Sequence, residues 1–142
     1  MDDRIYHGNP SSNVAVCTLS SMGLLEELSG SPLMGSVCIA GRLLSENRGI
    51  DALVRTVLSG GRIRYLVLCG RDSAGHRAGH SLLCLHRNGV DSRGRIIGSS
   101  SPHPVLSLTA DEVGEFQERM TIIDMTGETD LPTIRSRAAG LS

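Results

Sequence analysis

A chain of 142 residues is long enough for one domain with a layered core and short for two. With a formal net charge of -1, two Tyr, one Phe and no Trp, it offers neither a basic surface nor a stacking platform, which argues against nucleic acid as a partner. All 14 basic residues are arginines, which excludes mechanisms that need a lysine Schiff base or a Walker lysine.

The cysteines are widely spaced, and three of them lie in or at the end of apolar runs: Cys17, Cys38, Cys69 and Cys84. This pattern is typical of small buried side chains rather than of a disulfide framework. No signal peptide opens the chain, and no apolar run approaches the ~20 residues that span a bilayer. We therefore expect a cytoplasmic protein without a direct membrane span.

The pattern along the chain predicts a polar N-terminal arm over residues 1–13, one α/β domain over residues 14–126 and a polar C-terminal tail over residues 127–142. Apolar runs predict strands over residues 14–17, 36–40, 63–69, 95–97 and 122–125. Helical spacing predicts helices from Met22 to Leu28, from Ile50 to Leu58, after His76, and from a capping box at Thr109 to about Met120. Strands that alternate with helices at this spacing indicate a mostly parallel sheet of about five strands, flanked by helices.

The loops that follow parallel strands emerge at one edge of the sheet. Residues 18–21, 41–49, 70–76 and 98–104 are therefore expected to converge, and they hold most of the hydroxyls and glycines that turns do not require. We predict a cofactor face here, with contacts from Thr18, Leu19, Ser20, Gly41, Glu46, Asn47, Gly70, Asp72, Gly75, His76, Gly79, Ser99 and Ser100.

His76 stands out because a strand, a glycine-bounded loop and a helix start deliver it to the crevice where α/β sheets bind ligands. A structural role for this histidine is an equal alternative on spacing alone. The five-residue separation of Gly70 and Gly75 imitates a phosphate loop, but His76 and Arg77 stand where that loop needs lysine and serine or threonine. Nucleotide binding is therefore disfavoured.

Several neighbours of His76 allow two interpretations. His80 and Cys84 share its helical face and could complete a zinc site, although core packing of Cys84 and a local hydrogen bond of His80 are favoured. Glu46 is either a solvated charge or a group that, with Asn47, contacts a polar ligand or holds His76 in one tautomer. Asp72 is either another group that orients His76 or a turn-forming residue.

Four segments together carry a resemblance to a known family. They are Gly-Arg-Leu-Leu-Ser-Glu-Asn-Arg-Gly-Ile at residues 41–50, Arg-Tyr-Leu-Val-Leu-Cys-Gly-Arg-Asp-Ser-Ala-Gly-His-Arg-Ala-Gly at 64–79, Asn-Gly-Val at 88–90 and Gly-Arg-Ile-Ile-Gly at 94–98. In order and spacing they resemble the cobamide-binding A subunit of tetrahydromethanopterin S-methyltransferase, from about Val14 to Asp124.

The resemblance implies a single Rossmann-like, three-layer domain that carries a corrinoid on the carboxyl edge of its sheet. It places the family's axial histidine, the metal ligand and catalytic residue, on His76. The family's cobalt takes a methyl group from methyltetrahydromethanopterin and passes it to the thiol of coenzyme M, with other methyltransferase subunits binding the pterin donor and the thiol acceptor. The resemblance therefore implies a methyl carrier in methanogenesis or related one-carbon metabolism.

Two departures from familiar patterns keep alternatives open. Residues 76–79 reproduce the end of the D-x-H-x-x-G motif of other corrinoid carriers, but Ala74 replaces the aspartate. Family members typically end in a transmembrane helix, which is not seen before Ser142, so we expect a soluble homologue, at most peripheral to a membrane complex. The alternatives are a carrier in a different corrinoid-dependent pathway, or a non-enzymatic module with this fold that binds a small molecule or a partner.

Overall fold

The computed structural model describes residues 4–141. Five strands form one sheet: β1 (Ile5–His7), β2 (Val14–Cys17), β3 (Ile39–Gly41), β4 (Tyr65–Leu68) and β5 (Thr121–Asp124). Their order is β1-β3-β2-β4-β5; β1 pairs antiparallel with β3, and all other neighbours are parallel. This confirms the predicted α/β class with a mostly parallel sheet.

Five helices flank the sheet: α1 (Met22–Ser29), α2 (Arg48–Leu58), α3 (Ala78–Asn88), α4 (Ala110–Arg119) and α5 (Leu131–Ala139). Short 3-10 turns occupy Pro32–Gly35 and Ser59–Gly61. One apolar cluster joins the sheet to α2, α3 and α4, and a second joins its other face to α1 and α5. These three layers confirm the Rossmann-like architecture.

The central strand β2 shows why the sheet lies between two helical layers. Ala15 and Cys17 belong to the cluster on the α2 side, and Val14 and Val16 belong to the cluster on the α1 side. All four are at most 2% exposed. A continuous apolar run is the pattern expected of a strand buried on both faces.

The prediction of a strand over residues 95–97 is wrong. Only isolated bridges join Val90 to Ile96 and Arg95 to Val105, both antiparallel and outside the sheet. Ile96 is buried in the cluster under α3 and α4, whereas Ile97 is 46% exposed. One buried side chain is too little for a strand covered on both faces, so the segment forms part of the long α3–α4 connection.

Both chain ends contain elements that the sequence pattern did not indicate. β1 lies in the predicted arm, where Tyr6 pairs with Ala40 at the edge of the sheet. α5 lies in the predicted tail, where the Asp130 side chain caps it and Ile134 and Ala138, four residues apart, are fully buried. Both elements are short, and their apolar content is too low for a clear periodic signal.

Helix starts show two different outcomes. The capping box at Thr109 and Glu112 is present as predicted. Ser21 occupies the N-cap position of α1, but its side chain makes no capping bond there and instead accepts a hydrogen bond from the backbone N–H of Arg71 at 2.9 Å. Ser21 therefore ties two loops together instead of capping α1 with its side chain.

Across residues 4–141 the helices are too short or too polar for any of them to cross a lipid bilayer. Cys17, Cys38, Cys69 and Cys84 are all free thiols.

Candidate functional site

The four predicted loops meet at the carboxyl edge of the sheet. The hydroxyl of Ser20 donates to the carbonyl of Arg71 at 2.5 Å, which joins the loops after β2 and β4. Glu46, after β3, accepts from the backbone N–H of His103 at 3.1 Å. The loop at residues 98–104 thus reaches the same edge even though no strand of the sheet precedes it.

Close backbone approach explains two of the predicted glycines. Gly70 has φ +73°, and a Cβ there would lie 2.4 Å from the carbonyl oxygen of Thr18. A Cβ at Gly79 would lie 2.8 Å from Cδ2 of Leu19 and 3.1 Å from Oδ2 of Asp72. These glycines allow the loops after β2 and β4 to pack against the start of α3.

His76 lies at the end of the loop between β4 and α3. Its backbone N–H donates to Oγ of Ser73 at 3.2 Å, and Arg77, with φ +49°, turns the chain into the helix. The side chain of His76 is 59% exposed. The strand–loop–helix unit therefore presents an imidazole to the outside of the sheet edge, as the sequence predicted.

Glu46 holds this imidazole from the neighbouring loop. Oε1 of Glu46 lies 2.9 Å from Nδ1 of His76, and the Glu46 side chain is only 2% exposed. Burial by itself raises the pKa of Glu46, but hydrogen bonds from its own backbone N–H, from the N–H of His103 and from His76 outweigh burial and lower it. Because an ionised carboxylate only accepts, Nδ1 carries the proton.

This proton fixes the chemistry of the other ring nitrogen. In a neutral imidazole protonated at Nδ1, the lone pair lies on Nε2. Within residues 4–141 no hydrogen-bond partner approaches Nε2 of His76. The pair is therefore built like a metal-binding histidine oriented by a carboxylate.

The loop at residues 98–104 completes the surroundings of Glu46. Besides the N–H of His103 on Oε2, the carbonyl of His103 accepts from Nδ2 of Asn47 at 3.1 Å. Both oxygens of Glu46 are thus occupied, one by His76 and one by the loop. This part of the site was missed, because a backbone contact spanning 57 residues has no signature in sequence.

Asp72 has a structural task. Its Oδ1 accepts from the backbone N–H of Gly79 at 2.9 Å and its Oδ2 accepts from the N–H of His80 at 3.0 Å. Asp72 also accepts from the N–H of Ser73 at 3.0 Å, as a turn-forming aspartate does. These bonds satisfy otherwise free donors at the start of α3, and Glu46, not Asp72, contacts the His76 ring.

His80 lies close to the same edge, but its ring contacts Ser100. Its Nε2 accepts from the backbone N–H of Ser100 at 3.2 Å, and burial, followed by the charge of Arg77, lowers the pKa of His80. Cys84 is 5% exposed and belongs to the core cluster. In the described part of the chain, no three His, Cys, Asp or Glu side chains are placed to hold a metal ion, so the zinc hypothesis gains no support.

Three serines that the sequence analysis did not connect anchor the loop at residues 98–104 to α3. Oγ of Ser81 lies 2.6 Å from Oγ of Ser99 and 2.6 Å from Oγ of Ser101. The hydroxyl of Ser101 also donates to the carbonyl of Arg77 at 3.1 Å, and the Arg77 side chain bonds to Ser100. The run of serines at residues 99–101 is visible in the sequence, but the sequence does not show that Ser81 on α3 is its partner.

The remaining predicted contact residues differ in accessibility. Thr18 and Leu19 are fully buried, Gly70 and Gly79 are buried, and Ser20, Gly41, Asn47, Asp72 and Ser99 are partly exposed. Gly75, His76 and Ser100 are exposed. The buried members shape the edge from below, and the exposed ones form its surface.

Two cavities flank this edge. The first, which we call the α2 cleft, has a volume of about 380 Å³ and lies between α2 and the sheet, with Ala15, Cys17, Ile39, Gly41, Leu53 and Val57 in its lining. The second, of about 390 Å³, is polar and lies beside the β4–α3 loop; its lining includes Asp72, Arg77, His80, Leu83, Asp124 and Thr126.

The chain matches known proteins over most of its length. A family model that describes the A subunit of tetrahydromethanopterin S-methyltransferase matches residues 3–141. The chain is 39% identical over 129 residues to the A subunit of the putative methyltransferase Mtx of Methanosarcina acetivorans, covering 90% of this chain and 61% of that protein. It is 36% identical over 137 residues to the A subunit of the tetrahydromethanopterin S-methyltransferase of Methanohalophilus mahii, covering 95% of this chain and 55% of that protein.

The match to these relatives is nearly complete on the side of this chain and partial on theirs. The putative Mtx protein of Methanosarcina barkeri, also an A subunit and 38% identical over 128 residues, is likewise covered to 61% of its length. The chain therefore spans about three fifths of the length of these curated relatives. Because the family model covers almost all of its residues, the chain belongs to the family of tetrahydromethanopterin S-methyltransferase A subunits.

Proposed function

We propose that this protein is the corrinoid-binding methyl carrier of a methyltransferase, with His76 as the protein ligand of the cobalt. The observation that carries the proposal is the pair formed by exposed His76 and buried Glu46, 2.9 Å apart at the carboxyl edge of the sheet. The names of the curated relatives, all methyltransferase subunits, support the same chemistry.

The residues at this edge fit a corrinoid. Imidazole suits cobalt as a ligand, and a carboxylate on its other nitrogen raises the basicity of the ring and fixes its direction. Glu46 also accepts a hydrogen bond from the N–H of His103. The imidazole is therefore oriented by a buried carboxylate that makes two hydrogen bonds. A bound corrinoid would supply a cobalt that accepts a methyl group from one molecule and passes it to another.

The chain's own part in this reaction is to bind the cofactor and to orient the imidazole of His76. His76 binds through Nε2, Glu46 keeps the proton on Nδ1, and Asn47 and His103 fix the loop that covers Glu46. Gly75, which precedes His76 in the chain, and Ser100, which contacts His80 and Arg77, are exposed and would offer backbone and hydroxyl contacts to the cofactor. Other subunits would bind the pterin and the thiol, which the description of the family as one subunit of a methyltransferase supports.

We propose methyltetrahydromethanopterin or a related pterin as the donor and a thiol such as coenzyme M as the acceptor. The name of the Methanohalophilus mahii relative supports a pterin and a sulfur in these roles. The name Mtx, given to other relatives, specifies neither, which favours a second assignment to a different corrinoid-dependent transfer. Both assignments need the same cobalt ligand.

The proposal is tested by titrating the purified protein with hydroxocobalamin and following the visible spectrum. We expect the cofactor to co-elute with the wild type and its absorption bands to shift on binding, and His76→Ala to lose the shift. His7→Ala, on the exposed edge strand β1, is the matched control and should behave as wild type. Absence of binding by the wild type would support the non-enzymatic alternative instead, and a wild-type spectral shift in His76→Ala would contradict the role of His76 as the ligand.

A further inference from the structure

A strap formed by residues 98–108 joins the α3 side of the domain to the α2 side, just before α4 begins. His103, near its middle, donates its backbone N–H to Oε2 of Glu46 at 3.1 Å. The other oxygen of Glu46 lies 2.9 Å from Nδ1 of His76. The position of the strap therefore bears on the imidazole through this carboxylate.

Ser81 anchors the strap to α3. It is fully buried, and its Oγ lies 2.6 Å from Oγ of Ser99 and 2.6 Å from Oγ of Ser101. Ser101 donates its own proton to the carbonyl of Arg77, so Ser81 donates to Ser101 and accepts from Ser99. Because a buried hydroxyl that loses its partner is costly, this directed chain of bonds favours one position of the strap.

Asp51 anchors the strap to α2. It is buried, its Oδ1 accepts from the backbone N–H of Ser107 at 3.0 Å, and its Oδ2 accepts from the hydroxyl of Ser107 at 2.9 Å. Leu106 and Leu108, on either side of Ser107, belong to the core cluster. The second end of the strap is therefore held by a carboxylate and by two buried apolar side chains.

Anchors at both ends fix the N–H of His103 between them. Asn47, the N-cap of α2, supports the same alignment, since its Nδ2 donates to the carbonyl of His103 at 3.1 Å. A carboxylate with a fixed donor on one oxygen resists rotation, so the other oxygen of Glu46 stays on Nδ1 of the ring. If the strap moved, Glu46 would lose this donor and could turn away from His76.

We propose that Ser81 and Asp51 are positioning residues for the His76 ligand. They hold the strap, the strap holds Glu46, and Glu46 keeps the proton on Nδ1, which leaves Nε2 to bind the metal. The inference rests on the proposed function. It extends that function to two residues that, within residues 4–141, make no hydrogen bond to His76 themselves.

Nitrogen-15 NMR of labelled histidine in the cofactor-free protein tests the proposal, with the His76 signals assigned by their absence in His76→Ala. The wild type should show a protonated Nδ1. Ser81→Ala, which breaks the chain of serines, and Asp51→Ala, which removes both acceptors of Ser107, should each show a mixture of the two neutral tautomers. Asp51→Asn, which keeps one acceptor oxygen, should show a smaller shift toward the second tautomer.

Spectral titration with hydroxocobalamin gives the second measurement. Ser81→Ala and Asp51→Ala should each bind the cofactor about three- to tenfold more weakly than the wild type, a smaller loss than removal of the Glu46 carboxylate itself causes. Circular dichroism and urea unfolding establish that each variant is folded and how much stability it has lost.

Two controls separate positioning from general destabilisation. Ser12 is also buried and also makes two hydrogen bonds, to the carbonyl of Ser36 at 2.8 Å and from the N–H of Val14 at 3.1 Å, but it precedes β2 at the opposite edge of the sheet. Ser12→Ala should lose a comparable amount of stability and keep the wild-type tautomer and affinity. Asp111→Ala, at an exposed position in the first turn of α4, controls for the loss of a negative charge at a helix start.

The outcomes separate this inference from the proposed function. A wild-type tautomer in Ser81→Ala and in both Asp51 variants would show that the anchors are structural only and would overturn the inference; if Ser81→Ala does not fold, the two Asp51 variants decide. A tautomer mixture of equal size in Ser12→Ala would overturn it as well. Tautomer shifts as expected, in a protein whose wild type does not bind hydroxocobalamin, would overturn the proposed function and leave the positioning of the His76 ring by the strap standing.

Discussion

Nδ1 of His76 lies 2.9 Å from Oε1 of Glu46, a residue 30 positions earlier in the chain. The contact joins the loops after β3 and β4 and combines an exposed imidazole with a buried carboxylate. The tautomer of His76 therefore depends on Glu46, a residue that a bound cofactor would not need to contact.

Replacing Glu46 by Gln should therefore allow His76 to adopt both neutral tautomers. The amide can donate as well as accept, so the proton is no longer confined to Nδ1, and cobamide affinity should fall about 10- to 100-fold. Nitrogen-15 NMR of labelled histidine in the cofactor-free protein should show a protonated Nδ1 in the wild type and a mixture in Glu46→Gln. Glu118→Gln, at an exposed site on α4, is the control; an unmixed Nδ1 tautomer in Glu46→Gln would contradict the assigned role.

The same carboxylate predicts a pH dependence of stability. The pKa of Glu46 in the folded protein is lowered from an ordinary value of 4.5, so its stabilising contribution is fully present above that value. As the pH falls through the lowered pKa, the folded carboxylate is protonated and the contribution is lost. Urea unfolding at a series of pH values should show the stability difference between wild type and Glu46→Gln shrinking below about pH 4.5; a difference that widens toward acid would refute it.

Gly70 should not tolerate a side chain. Its φ of +73° disfavours any other residue, and a Cβ would lie 2.4 Å from the carbonyl oxygen of Thr18. Gly70→Ala is expected to lower the free energy of unfolding by about 2 kcal/mol or more. Gly75→Ala is the matched control in the same loop, because no atom lies within 4 Å of the position that its Cβ would take, and it should change stability by less than about 0.5 kcal/mol. Similar losses in the two variants would show that the loops do not pack as described.

Asp72 and Glu46 should separate cleanly in their effects. Asp72→Ala removes the acceptors for the N–H groups of Gly79 and His80 and should cost about 1 kcal/mol of stability, with a smaller loss for Asp72→Asn. The nitrogen-15 spectrum of His76 should remain that of the wild type. A shifted His76 tautomer in Asp72→Ala would revive the alternative in which Asp72 orients the imidazole.

Local sequence patterns predicted the strands and helices whose burial produces a regular spacing of apolar residues. The continuous apolar runs of β2 and β4 and the helical spacing of α2 reflect burial against fixed layers, so they can be read from sequence. The prediction of a strand at residues 95–97 was wrong, because an apolar run does not reveal whether another strand is available to pair with it. The sequence did not indicate β1 or α5, because each is stabilised by contacts with distant residues rather than by its own pattern.

The site shows the same division. The loop that presents His76 follows from the strand before it and the helix after it, and parallel topology predicts which loops meet. The choice of Glu46 over Asp72 as the partner of the ring could not be predicted, since both are carboxylates on loops at the same edge. Only their positions decide: the carboxylate of Asp72 is used by the start of α3, and that of Glu46 is buried against the ring.

The central claim, that His76 is the protein ligand of cobalt, is tested most directly by electron paramagnetic resonance of the Co(II) cobalamin complex. An axial nitrogen couples to the unpaired electron, and the splitting depends on the nitrogen isotope. Protein labelled with nitrogen-15 histidine and loaded with unlabelled cofactor should convert the nitrogen-14 triplet into a doublet, and labelled His76→Ala should lose the doublet. A triplet that persists in the labelled wild-type complex would place the cofactor's own base on the cobalt and contradict the claim.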